Sequence, residues 1–325
     1  MNALEDRLLN DFQRGFPLVS EPYDQIAMQL GHDVGGVLAA LARLRFDGKV
    51  SRVGATYRPG AFGASTLAAM QVPASRLDSV ARQVSAIPEV NHNYQRDHVV
   101  NLWFVIAASD GNALIQTIAR IETSCALPVM RLPLLAEYHI DLGFDLARRR
   151  SPRAVTCARP PARPLCLTAP ERALLAALGE GLPLAARPYA LLGELCGMNE
   201  SEVIDTLENW LSLGALRRIG VIVRHRELGF TENAMVVWDV PDETVDMHGM
   251  AAAGTGLVNL CYRRARDPEA WPFNLYCMIH GGNRNLVKAT IDSLGQSCGL
   301  AHYSQQILFG LRRFKQQGAR YAEAR

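Results

Sequence analysis

The sequence predicts an α+β protein built from two tandem copies of one unit, each a winged-helix-like helix-turn-helix followed by a βαββαβ sheet domain. Three observations carry this. The chain has 325 residues, 49% hydrophobic and 20% charged, which suits two domains or two similar halves and excludes global disorder. Short strings recur in the same order at a nearly constant offset. Within each copy the hydrophobic period changes from helical to alternating.

The recurrence is direct. GFPLVSEPY at 15–23 returns as GLPLAARPY at 181–189, an offset of 166. At that offset Arg52-Val53-Gly54 meets Arg218-Ile219-Gly220, Arg58 meets Arg224 and Gly63 meets Gly229. Val90–Tyr94 then meets Val258–Tyr262 at 168, and both Asn101-Leu102-Trp103 and Ser124-Cys125 find counterparts at 173. Two small insertions explain the drift, so the duplicated unit spans about 8–144 and 174–311.

The elements follow in order. Ile26, Leu30, Val37, Leu38, Leu41 and Leu44 keep helical spacing, and Gly31 divides them into two helices before Gly48 and a strand at Val50–Tyr57. The second copy repeats this over 186–213, with Gly197 and Gly214 in the equivalent places. Alternation then predicts strands at Ser65–Val72, Val90–Arg96, Val99–Ala107 and Val129–Leu135, with helices at Arg76–Ala86 and Asn112–Thr123. Helices on one face leave the other to be covered, and two copies packing sheet against sheet would do so. The expected domains are a helix-turn-helix unit at 1–60, a sheet domain at 61–146, a linker at 147–170, a second helix-turn-helix unit at 171–226, and a second sheet domain with a basic tail at 227–325. The linker stretch 147–166 holds four prolines and six arginines, the composition of an exposed, semi-extended spacer.

Several function classes fall away. A net charge of +2 does not imply nucleic acid. No apolar run reaches membrane-spanning length, and the start MNALEDRLLNDFQRG lacks a signal peptide's apolar stretch. Seven cysteines without a CxxC pair argue against a disulfide framework or a thiolate zinc site, and fit a reducing cytoplasm. No phosphate loop, HExxH or GxSxG occurs. DNA binding is not expected either. The second recognition helix, 199–213, carries Glu200, Glu202, Asp205 and Glu208 and no basic residue, while the first offers bases little beyond His32 and Asp33.

The informative segment is EVNHNYQRDHVVNLWF at 89–104. Alternation places His92, Tyr94 and Arg96 on one strand face, with Asn91, Asn93 and Gln95 on the other and His98 in or just after the turn. Such a row is costly to bury without a ligand or partners. The second copy has Leu260, Tyr262 and Arg264 there, so the Tyr-x-Arg pair persists and the imidazole is lost. That pattern predicts one half keeping a proton-transfer group while both keep anion-binding groups. The second copy also gains Trp271 and Phe273 before a strand and His280 near its end. Arg52 and Arg58, like Arg218 and Arg224, are six apart and share a face if their strands are regular. With Arg96 and Arg264 they suit a ligand bearing many carboxylates.

The strings HNYxRxHxxNLWF and CYRRxRxxxxWPFNLYCMIHG resemble those of siroheme decarboxylases, specifically the D- and L-type subunits of heme d1 biosynthesis fused into one polypeptide. The resemblance covers all but the linker and tails. The architecture, a helix-turn-helix with a ferredoxin-like domain, is similar to that of Lrp/AsnC regulators. The resemblance implies a carboxy-lyase that removes the C12 and C18 acetate carboxyls of siroheme, giving 12,18-didecarboxysiroheme. It implies no separate cofactor, since the substrate carries its own iron. By motif, His92 and His98 match the active-site histidines, with Tyr94, Arg96, Tyr262, Arg263 and Arg264 around them. His92 and His98 are both candidate axial ligands of the substrate iron. A histidine titrating near neutrality suits protonation of the carbon that loses carbon dioxide. Arg52, Arg58, Arg218 and Arg224 would hold the remaining carboxylates, and Trp103, Trp271 and Phe273 would flank the flat macrocycle. The expected partner is siroheme, with no DNA and no membrane. The halves would pack as an intramolecular pseudo-dimer, and pairing into a homodimer and contact with other heme d1 biosynthesis proteins stay open. Two other readings also stay open: a heme-responsive DNA-binding regulator, and a tetrapyrrole carrier that releases no carbon dioxide.

Overall fold

The structure is a computed structural model that describes residues 2–140, 157–267 and 269–321. The first copy begins with α1 (Ala3–Asp11), α2 (Pro22–Leu30), α3 (Val34–Phe46) and β1 (Val50–Tyr57). Gly31 ends α2 in the left-handed region at φ 68°, and Asp33 caps α3 by accepting from the Gly36 amide at 2.8 Å. There follow β2 (Ala64–Met70), α4 (Leu77–Ala86), β3 (Val90–Arg96), β4 (Leu102–Ala108), α5 (Gly111–Cys125), β5 (Met130–Leu132) and β6 (Leu134–Ile140). The second copy repeats the order with α6 (Ala169–Glu180), α7 (Pro188–Cys196), α8 (Glu200–Ser212) and β7 (Leu216–Val223). It continues through β8 (Glu232–Trp238), α9 (Val245–Gly254), β9 (Leu260–Arg264), β10 (Leu275–Gly281), α10 (Arg284–Ser297) and β11 (Gln305–Gln316).

Two differences from the sequence reading matter. The strand expected at Val129–Leu135 is two strands, because Pro133 offers no N–H to a ladder, and it runs on to Ile140. The start of the basic tail, Arg312 to Gln316, is the last part of β11.

Both differences serve one feature, an exchange of strands between the copies. The large sheet has the order β5-β2-β4-β3-β11-β8-β10-β9-β6. The first part of β11 pairs with β8 of its own copy, and the remainder pairs with β3 of the first. Likewise β5 pairs with β2 of its own copy and β6 with β9 of the second. Since β5 and β6 are joined through Pro133 and stand at opposite ends of the order, chain continuity closes the strands into a ring. The expected face-to-face packing is therefore stitched at both edges, which leaves few free ladder edges.

The core is layered accordingly. Leu77, Val80, Ile118 and Ile121 of α4 and α5 pack on the outer side of the first sheet, and Val245, Ala252, Val287 and Ile291 of α9 and α10 on that of the second. Between the sheets lies a third cluster from both copies, including Trp103, Leu132, Trp271, Phe273 and Tyr276.

The helix-turn-helix units share a single core, with Leu8, Ile26 and Leu41 packed together with Leu174, Leu207 and Trp210. Their wings β1 and β7 pair antiparallel, with Gly54 opposite Gly220 at the centre. The acidic residues of α8 have local duties. Asn199 and Glu202 form a capping box, and Glu200 accepts from Arg187 and from Ser20 Oγ. The first part of the predicted linker lies outside the described residues. From 157 onward the chain is mostly exposed but tied down, with the Ala162 amide bonded to Pro59 O at 3.0 Å, Leu165 to Ala61 O at 2.9 Å, and Arg159 and Glu137 exchanging backbone bonds of 2.8 and 2.9 Å.

Candidate active site

The aromatic cluster fills only part of the space between the sheets. Beside it is a cavity of about 410 Å³, walled by inward residues of both sheets and roofed by the β1/β7 ribbon. The wings thus enclose a site, which gives the helix-turn-helix units a structural duty independent of DNA. A cavity of this size and mixed lining is suited to a small molecule.

His92, Tyr94 and Arg96 of β3 all line it, as alternation requires. His92 Nδ1 and the Tyr94 hydroxyl share a hydrogen bond of 3.2 Å, and their rings lie nearly parallel at 19°. The shared bond occupies Nδ1, which leaves Nε2 as the nitrogen to meet a ligand. Asn91, expected on the opposite face with Asn93, also lines the cavity. The β3/β4 register slips between Val90 and His92, and this bulge turns Asn91 inward. Asn93 keeps the expected direction and bonds Ala81 O and Ser85 Oγ on α4. Arg96 is buried and donates to Asn233 Oδ1 at 3.0 Å and Leu308 O at 3.2 Å, tying the first sheet to the second. Gly310 stands opposite Arg96, where a Cβ would come within 2.7 Å of Asn233 Oδ1.

The second copy supplies Leu260, Tyr262 and Arg264 at the matching positions. Arg264 lies over the Tyr262 ring at 5.1 Å and over that of Tyr276 at 5.8 Å, and donates to Leu132 O at 2.9 Å. Burial pushes the Tyr262 phenol up and the Arg264 guanidinium down. An imidazole does reach this end, from β10. His280 lines the cavity with Nδ1 3.0 Å from Asn259 Oδ1.

Of the wing arginines, Arg52 and Arg218 line the cavity, whereas Arg58 and Arg224 do not. The six-residue spacing failed because β1 ends at Tyr57 and β7 at Val223, so Arg58 and Arg224 lie beyond the regular strands. Arg58 instead donates to Pro160 O and lies 3.9 Å from Glu137. Arg263 is also off the wall, as its odd position between Tyr262 and Arg264 demands. It faces outward toward Asp242 at 3.3 Å and Asp246 at 3.6 Å.

His98 is not brought to His92. It lies past the end of β3, with Nδ1 accepting from the Val100 amide at 3.1 Å and its ring edge-on to Trp271. Trp103 lines the cavity. Trp271 and Phe273 stand behind it in the inner apolar cluster, Trp271 donating to the Tyr276 hydroxyl at 2.8 Å. Arg312, Arg313, Gln316 and Gln317 also line the cavity, and the sequence reading missed them as a tail. The run QQILFGLRRFKQQ does not alternate beyond Leu311, so only the single apolar Phe314 hinted that the strand continued.

The electrostatics correct one expectation. His92 does not titrate near neutrality in this cavity; burial, helped by the nearby Arg52 charge, pushes it down from 6.5 to about 4. Unfolding releases an imidazole that takes up a proton below 6.5, so this group's contribution to stability is full above 6.5 and is lost as pH falls toward 4. Replacing Arg52 with Met should raise the His92 value while leaving it below 6.5, because burial is the larger cause. Titration of labelled histidine by NMR checks this, and an unmoved value would show that Arg52 does not act on His92.

Comparison with known proteins fits this geometry. Two stretches, 61–139 and 227–315, match the model of the AsnC-like ligand binding domain, and 5–50 and 171–217 match that of the siroheme decarboxylase NirDL-like HTH domain. The siroheme decarboxylase NirDL subunit of Paracoccus denitrificans is 43% identical over 323 residues, 99% of this chain and 98% of that one. The chain belongs to the siroheme decarboxylase family. Two solved structures of a siroheme decarboxylase NirDL superpose across 98% of it. One has a TM-score of 0.70 at 27% identity and covers 94% of that chain; the other, a co-complex with an iron-uroporphyrin III analogue, has 0.69 at 26% and covers 93%. Among the described residues of this siroheme decarboxylase family member, no helix is long and apolar enough to cross a membrane.

Proposed function

We propose that this chain decarboxylates siroheme at the C12 and C18 acetates, giving 12,18-didecarboxysiroheme and two molecules of carbon dioxide, as a step of heme d1 biosynthesis. The observation that carries the reading is a single cavity in which His92 and Tyr94 stand among arginines contributed by both copies. Its match to a family with the same domain order supports it.

The chemistry asks little beyond these groups. Breaking the bond between the acetate methylene and its carboxylate releases carbon dioxide and leaves an electron pair that the conjugated ring delocalises. A proton then closes the methylene to a methyl group. His92, held by Tyr94, is placed to pass that proton from solvent. In the free cavity it is neutral. A substrate ringed by carboxylates adds negative charge beside it, offsets Arg52, and moves its affinity for a proton back toward the working range. Arg52 and Arg313 hold carboxylates that do not react, Arg218 lines the cavity while donating to Gln13 O, and Trp103 borders the macrocycle. No separate cofactor is needed, because siroheme brings its own iron; an imidazole that passes the proton through Nε2 cannot also ligate that iron, so His92 is assigned the proton and not the axial position. The expected setting is cytoplasmic, without DNA or membrane, and the expected partners extend to a second copy of this chain and to other heme d1 biosynthesis proteins.

Anaerobic incubation with siroheme followed by mass spectrometry should show the loss of two carbon dioxide equivalents. Recovery of intact siroheme would overturn the reading, and recovery of bound, unchanged siroheme would favour a carrier.

A further inference from the structure

The two ends of the cavity are related by the duplication, so the residues that break the symmetry are visible as register partners. Opposite Tyr94 on β3 stands Arg313 of β11, and opposite Tyr262 on β9 stands Glu137 of β6. Opposite His92 stands Gln316, and opposite Leu260 stands Ile140. On the wings, Ser51 occupies the position that Arg217 holds in the second copy. The first-copy end therefore presents the Arg313 cation on the cavity wall, where the wing contributes a small serine, with Gln316 Oε1 accepting from Arg313 at 3.1 Å and Glu227 as a distant partner at 3.9 Å. At the second-copy end the charges stand behind the wall rather than on it: the carboxylate of Glu137, 4% exposed, closes on the Arg217 guanidinium beside Tyr262, with Arg58 at 3.9 Å. That ion pair satisfies the arginine internally and sets a negative charge behind Tyr262.

We infer that Arg313 and Glu137 fix the orientation in which the tetrapyrrole binds. Arg313 is a carboxylate ligand at the His92 end, and Glu137 keeps Arg217 from becoming its equivalent at the other. An anionic macrocycle entering a pseudo-symmetric cavity has two ways to lie, and this exchange of charge admits one of them. The inference rests on the siroheme reading.

The test uses the full chain, Glu137→Gln, and the double variant Glu137→Gln with Arg217→Gln. Siroheme is supplied in a short anaerobic reaction, and the monodecarboxylated intermediate is resolved into its regioisomers. The wild-type chain should form one isomer. Glu137→Gln frees Arg217 and should raise the second isomer at least about tenfold, roughly the weight of one charge-assisted hydrogen bond. The double variant, with the wild-type net charge restored because Arg58 stays, should return to one isomer, which separates a charge effect from damage to the fold. A single unchanged isomer from Glu137→Gln, or a mixture already present in the wild type, overturns the inference. If no variant forms product, the siroheme reading fails, and spectral titration with iron uroporphyrin III decides the charge argument. Binding tightened about tenfold in Glu137→Gln alone supports it, and equal affinity in all three overturns it.

Discussion

Replacing His92 with Ala should lower the decarboxylation rate by about 10²–10⁴-fold, the usual weight of a positioned proton donor, while siroheme binding persists. Replacing His98 with Ala should leave the rate unchanged and cost only about 1 kcal/mol of stability, from the lost bond to the Val100 amide. The two variants discriminate because the structure separates two histidines that the motif presents together. His92 lies at the cavity wall with Tyr94 on Nδ1, whereas His98 has turned away past the strand end and supports Trp271. The measurement is single-turnover product formation alongside the siroheme absorbance change on binding. A His92→Ala chain with normal turnover would remove the proton-donor role. A His98→Ala chain that is well folded but inactive would place the working imidazole elsewhere.

Much of the fold could be read from the sequence because duplication repeats its own signals. The glycines at 31 and 197 and the alternation through His92, Tyr94 and Arg96 are local, and each appears twice or is reinforced by its counterpart. What was hidden is non-local. Nothing near Pro133 says that the strand beyond it pairs with the other copy, and nothing near Arg312 says that β11 crosses to β3. Missing that exchange, the reading placed Arg313 in a tail and left Glu137 without a role. The bulge at Asn91 has a similar origin, since a one-residue slip against β4 leaves no mark in composition.

The arginines should divide into two kinetic classes that their sequence spacing conceals. Arg52→Met is expected to raise KM by about 10–100-fold, the equivalent of ~1.5–3 kcal/mol for one hydrogen bond to a charged group, with a much smaller change in kcat. The reason is that Arg52 lines the cavity with no carboxylate within ion-pair distance among the described ion pairs; it donates weakly to Ala55 O at 3.4 Å and Glu180 acts on it from farther off, so its charge can still reach a ligand. Arg58→Met and Arg263→Met should leave KM unchanged. Arg58 is committed to Pro160 O and the Glu137 cluster, and Arg263 to Asp242 and Asp246 outside the sheet. Steady-state kinetics on the three variants, with circular dichroism to confirm folding, decides the point. Equal losses in all three would mean that these arginines act through overall charge, and a KM effect confined to Arg58 or Arg263 would mean that the substrate lies outside the ring of strands.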